Sequence, residues 1–140
     1  QYASASGVAR GAYVMADAPG GAPEIILIAS GSEVALILDA QKALQAEGIR
    51  ARAVSMPSWD IFEAQSQAYR DEVLPPTLTA RLAVEQGSTL GWDRYVGFQG
   101  RVIGMKTFGA SAPLKELQRR FGFEPEQVVA VAKEILGRSK

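Results

Sequence analysis

Ile25-Ile26-Leu27-Ile28-Ala29-Ser30-Gly31-Ser32-Glu33 is the stretch that decides the fold. Five consecutive apolar residues leave no polar face, which suits a central strand covered on both sides rather than one wetted on one side. Ser30 and Glu33 follow at once, three residues apart, the spacing of a capping box that opens a helix. Val34, Ile37, Leu38 and Leu44 then recur at helical spacing until Gly48 supplies a C-cap. A second strand over residues 50–55 begins two residues later. Strand, helix and strand therefore make a right-handed crossover between parallel neighbours, the unit of an α/β fold.

Outward from this unit the pattern continues. Upstream, Tyr13 to Ala16, the turn Pro19-Gly20-Gly21 and the strand from Glu24 to Ala29 predict a β-hairpin. Residues 1–12 carry small and polar side chains and are expected to be a linker or disordered N-terminal segment, leaving residues 13–140 as a single domain. Downstream, Met56-Pro57-Ser58 ends the second strand. Ser58 is placed to cap a helix on which Phe62, Tyr69 and Val73 share a face, and which must stop before Pro75-Pro76. Thr79 to Val84 reads as a buried strand and Arg101 to Met105 as a shorter one. Ser111 with Pro113 begins a helix ending at Phe121-Gly122. Pro125 opens the last, with Val128, Val129, Ala132, Ile135 and Leu136 on its inner side.

Composition excludes several chemistries. With 140 residues, 47% of them hydrophobic, a packed core needs no staple. Fifteen Lys plus Arg balance fifteen Asp plus Glu, so no basic excess supplies affinity for a phosphate backbone, and no nucleic acid partner is expected. With no His and no Cys, the chain cannot build His-based triads, cysteine nucleophiles or His/Cys zinc sites. The apolar runs Ile25 to Ala29 and Val34 to Leu38 fall far short of the roughly 20 residues of a membrane span, so no membrane partner is expected. No signal-peptide pattern opens the sequence, and the cytoplasm is the expected compartment.

Three features invite a functional reading. Ser30-Gly31-Ser32-Glu33 lies between a parallel strand and a helix, where free amides can hold a small anion or regulatory ligand. The competing reading is that Ser30 and Glu33 satisfy those amides themselves. Glu85 is expected at the carboxyl end of a parallel strand, the edge where open α/β sheets bind ligands, either as an acid, a base or a ligand contact, or as a solvated turn carboxylate. Trp92, Tyr95 and Phe98 could line a pocket or partner interface, or pack inward to anchor a long connection. No GxGxxG or GxxxxGK occurs, so dinucleotide and P-loop readings lack their phosphate cradle. Gly97-Phe98-Gln99-Gly100 matches the GXXG of KH domains only formally, having no basic residue inside it. Arg50 and Arg52 read as a strand entrance, and Arg119-Arg120 as a solvated helix face.

Taken together, Pro23 to Val34, Ala53-Val54-Ser55-Met56-Pro57-Ser58, Val73-Leu74-Pro75, Thr79-Ala80-Arg81 and Thr107-Phe108-Gly109-Ala110-Ser111-Ala112-Pro113 resemble the C-terminal domain of transketolase in order and spacing. The resemblance runs from about Gly11 to Leu136. It implies an α/β, three-layer αβα fold with a mostly parallel sheet plus one antiparallel edge strand. It also implies a parent enzyme that moves a two-carbon ketol unit from a ketose phosphate to an aldose phosphate. Thiamine diphosphate, its divalent metal (Mg or Ca) and the catalytic histidines would belong to the two preceding domains and a homodimer interface. The resemblance thus implies no catalytic, cofactor-binding or metal residue in this chain, which would support assembly. One departure is Glu124 before Pro125, where relatives often carry a Thr cap. Deoxyxylulose-phosphate synthase and the β subunit of 2-oxoacid dehydrogenases share the architecture and are the alternative parents. A stand-alone anion-binding or interaction module is the reading from another class.

Overall fold

The computed structural model describes residues 5–31, 33–85, 91–104 and 124–137. Five strands form one sheet: β1 (Tyr13–Ala16), β2 (Ile25–Ala29), β3 (Ala51–Ser55), β4 (Arg81–Glu85) and β5 (Arg101–Gly104), in the order β1-β3-β2-β4-β5. β2, β3, β4 and β5 run parallel, and β1 lies antiparallel on the β3 edge. Every residue of β2 is buried, as its uninterrupted apolar run requires.

The alternation of the strands sends their side chains to two different layers. Ile25, Leu27 and Ala29 of β2 pack with Ile37, Ala40 and Leu44 of α1 (Glu33–Ala46) and with Val128 and Ala132 of α5 (Pro125–Ile135). Ile26 and Ile28 face the other way, toward Phe62 of α2 (Trp59–Glu63), Val73 of α3 (Gln67–Val73) and Tyr95 of α4 (Asp93–Val96). The architecture is a mixed five-stranded sheet between two helical layers.

Three expectations are corrected. The hairpin does not form: β1 pairs with β3, and β2 is flanked by β3 and β4. The crossover helix α1 delivers β3 to the flank of β2, so the half-buried β1 takes the next place outward, where only one of its edges needs a partner. Gln41 secures that edge by donating from Nε2 to the carbonyls of Ala16 (3.0 Å) and Ala51 (2.8 Å).

Residues 5–12 are not disordered. Ala5–Arg10 form a 3-10 helix, Ala12 is fully buried, and Ser58 donates its backbone N–H to the Gly11 carbonyl at 3.0 Å. Gly11, at φ +84°, lies so close to α2 that a Cβ would sit 2.3 Å from the Phe62 nitrogen. Small residues here permit close approach rather than signalling a lack of structure.

The helix expected to run from Ser58 to Val73 is two helices. Ser58 Oγ accepts from the Ile61 N–H at 3.2 Å, and after a break Ser66 Oγ accepts from Tyr69 N–H at 3.1 Å. The second serine restarts the chain as a new N-cap. Arg52 acts as a strand-entrance group, donating to Asp17 and to the carbonyls of Glu72 and Val73. The helix expected from Ser111 to Phe121, the run Thr107 to Pro113 and Arg119-Arg120 lie outside the described residues.

Candidate functional site

Parallel strands in register finish together, so the loops after β2, β3 and β4 share one edge of the sheet: Ala29 stands opposite Ser55 on one side and Val84 on the other. A cavity of about 430 Å³ opens there. Ser30 follows β2, Met56 to Asp60 follow β3, Glu85 ends β4, and Trp92 reaches in from the segment before α4. Met56 is held in place by its N–H on the Ala29 carbonyl at 2.9 Å.

One wall is an aromatic assembly. Trp59 meets Trp92 edge to face at 5.1 Å and Tyr95 at 5.5 Å, and Tyr95 lies 6.1 Å from Phe62. Such pairs contribute about 0.5–1.5 kcal/mol each beyond their burial. Gly91, at φ +90°, passes so close that a Cβ would lie 2.8 Å from Trp59 Cζ3. The Tyr95 hydroxyl donates to Glu63 Oε2 at 2.8 Å. Burial first, and then the hydrogen bond and charge of Glu63, push the Tyr95 phenol up to about 12.

The expected anion loop is only partly assembled as such. Ser30 lines the cavity and Gly31 adopts φ +59°. Glu33 opens α1 and is buried, while Ser32 lies outside the described residues. The amides of Glu33 and Val34 donate to the Ser30 and Gly31 carbonyls at 3.3 and 3.2 Å, so these two donors are already engaged. The aromatic trio divides: Trp92 and Tyr95 are buried, Trp92 against the cavity, whereas Phe98 is fully exposed. Glu85 is at the strand end where the sequence puts it.

Sequence reading missed Trp59 and Asp60 as cavity residues. The available signal was that both directly follow the cap of the helix after β3, just as Ser30 directly follows β2.

A second cavity, of about 480 Å³, lies near the opposite edge and is bordered by Phe98 and Arg81. Arg81 acts there as a structural clamp. Its guanidinium donates to the carbonyls of Leu78, Tyr95, Leu74 and Pro75, and burial lowers its pKa. With its donors on the main chain, it is poorly placed to grip a ligand.

The open, mostly parallel sheet, its covering helices and the cavity at the carboxyl edge define an α/β domain of the kind that carries ligands or partners at that edge. Residues 11–124 match the family model described as the transketolase-like TK C-terminal domain, and the chain belongs to that family. It is 54% identical over 132 residues to a transketolase of Geobacillus stearothermophilus, covering 94% of this chain and 20% of that protein. It is 57% identical over 130 residues to a transketolase of Halalkalibacterium halodurans, covering 93% of this chain and 19% of that one. Among solved structures it superposes on transketolase from Leishmania mexicana with a TM-score of 0.87 and 40% identity, over 99% of this chain and 20% of the other. The chain spans about a fifth of the length of these relatives.

Proposed function

We propose that this chain serves as the C-terminal assembly domain of a thiamine diphosphate-dependent transketolase. The whole protein would transfer a two-carbon ketol unit from a ketose phosphate to an aldose phosphate in the pentose phosphate pathway. The observation that carries this reading is the family match across residues 11–124 in a chain without histidine. Ketol transfer needs groups that move protons near neutral pH, for which histidine is the usual side chain.

Among the described residues, no three His, Cys, Asp or Glu side chains gather to hold a metal ion. On this reading the divalent metal would be held by the rest of the protein. Thiamine diphosphate, supplied by the rest of the protein, would provide the carbanion chemistry. The partners of this domain are then the preceding two domains and a second copy in a homodimer, in the cytoplasm. No described helix is long and apolar enough to cross a membrane.

The test is an assay of ketol transfer from xylulose 5-phosphate to ribose 5-phosphate, with thiamine diphosphate and Mg²⁺ added. Activity is expected from the full-length protein and none from the 140-residue chain. Turnover by the isolated chain would refute the assembly role. A full-length protein that uses pyruvate as donor and glyceraldehyde 3-phosphate as acceptor would instead assign the deoxyxylulose-phosphate synthase parent.

A further inference from the structure

Among the described residues, the large apolar side chains left exposed are Val8, Ile61 and Phe98, and all belong to the helical layer that covers Ile26 and Ile28. Ile61 is on α2, and Phe98 follows α4, whose Val96 packs in that layer. Val8 is on the 3-10 helix Ala5–Arg10, which joins the same layer where the Arg10 guanidinium stacks on the Tyr69 ring of α3 at 4.7 Å. Single exposed apolar residues are ordinary, but Phe98 is held out by its backbone.

Gly97, at φ +73°, turns the chain outward. Gly100 returns it so close to the sheet that a Cβ would lie 2.3 Å from the Val96 carbonyl oxygen and 2.6 Å from that of Arg81. Between them Gln99 is fixed by Thr79, whose hydroxyl donates to Gln99 Oε1 at 2.8 Å. Arg81 clamps the end of α4 through the Tyr95 carbonyl at 2.7 Å. This turn keeps the Phe98 ring in solvent at the rim of the 480 Å³ cavity, whose lining includes Leu74, Pro76 and Val96. A projecting ring beside an apolar hollow is a shape that a second surface completes.

The size of the patch selects its occupant. A buried Phe contributes on the order of 200 Å². With two aliphatic side chains added, the patch still falls short of the roughly 800 Å² per partner that holds two free proteins together. A body on the same polypeptide needs less, because its tether keeps it at about millimolar effective concentration. The chain spans about a fifth of the length of its relatives, and as a C-terminal domain it would join the rest at the 3-10 helix that carries Val8.

We propose that the outer surface of this layer, with Val8, Ile61, Phe98 and the adjoining hollow, docks the part of the same polypeptide that precedes residue 1, which sets an apolar side chain beside Phe98. The inference rests on the reading of this chain as the C-terminal domain of a larger protein, and it names the surface through which that domain is assembled.

Its test is hydroxyl-radical footprinting of the full-length protein, read by mass spectrometry at each phenylalanine. Phe98 is expected to lose its reactivity down to the level of Phe62, which the fold itself buries. Phe98→p-benzoylphenylalanine, irradiated in the full-length protein, identifies the occupant. The expected product runs at the mass of one polypeptide and joins position 98 to a peptide preceding residue 1. A freely oxidised Phe98, a double-mass product joining two copies, or cross-links confined to this domain would overturn the proposal. Ketol transfer by the same protein separates the two readings. Transfer with an open Phe98 rejects the docking surface alone, whereas a protected and cross-linked Phe98 without transfer upholds the surface and rejects the transketolase activity.

Discussion

The two faces of the sheet are built on different principles. On one, α1 and α5 lay long helices over β2 and β4, and the contacts are aliphatic: Ile25, Leu27, Ile37, Leu44 and Val128. On the other, short helices and a 3-10 turn bring Phe62, Trp92 and Tyr95 against Ile26 and Ile28, with glycines at the points of closest approach. The aliphatic face depends on periodicity, which a helix provides by itself. The aromatic face depends on caps, on backbone conformations open to glycine, and on rings that must find one another. The candidate cavity opens beside this second face, where position is set by many small local choices.

The largest effects should come from emptying either layer. Phe62→Ala should cost about 4 kcal/mol of unfolding free energy and Leu44→Ala about 3 kcal/mol, measured by urea denaturation. The comparison breaks if Phe62→Ala costs less than Leu44→Ala, since the aromatic layer would then be able to collapse around the loss.

Next come two glycines that both have positive φ but different surroundings. Gly91→Ala meets both a left-handed φ and the Trp59 ring, and should cost about 2–3 kcal/mol while altering tryptophan fluorescence. Gly31→Ala carries the angle alone, with nothing within 4 Å of the added carbon, and should cost about 1 kcal/mol with unchanged fluorescence. Equal losses would show that ring contact adds nothing to the strain.

Each cap removal, Ser58→Ala or Ser66→Ala, should cost about 1 kcal/mol. A loss in the first that also moves the Trp59 signal, absent in the second, would locate the cavity wall on the α2 cap.

The smallest effects are in pH dependence. Tyr95 has its phenol raised in the fold, so its contribution is present below the unfolded value of about 10 and is lost as pH rises through about 12. Tyr95→Phe should remove this alkaline loss between about pH 10 and 12, read as the midpoint of thermal unfolding. Asp17, on the opposite edge, works at acid pH. Burial alone would raise its carboxyl, but the Arg52 hydrogen bond, the Ala18 N–H and the Arg52 charge outweigh it and lower the pKa. Its contribution is present above the ordinary carboxylate value and lost as pH falls through the lowered one, and it is small because the side chain is more than half exposed.

Much of the aliphatic half was legible in the residues. The β2 run, the α1 spacing ended by Gly48, the parallel β3 and the apolar face of α5 all follow from period and composition. The error lay in partner choice. Tyr13 to Ala16 is a strand as read, but adjacency in sequence suggested β2 as its neighbour, and only the sheet order shows β3 between them. In the site, Ser30, Glu85 and Trp92 were singled out from the sequence, and the structure brings them together around one cavity. Trp59 and Asp60 were not, because nothing in a linear pattern says that the ends of β2, β3 and β4 are level.

What the sequence by itself determined was the set of elements, the burial of β2 and the kinship carried by runs such as Pro23 to Val34 and Ala53 to Ser58. These rest on local propensity and on the period of apolar residues, which act over a few positions along the chain. Tertiary structure alone decided that small residues 5–12 would pack instead of dangling, that Phe98 would point outward while Trp92 and Tyr95 turned in, and that two serines, two carboxylates and two tryptophans would share one cavity. Those outcomes depend on the register between distant segments and on whether two backbones can approach, which only the packed chain defines.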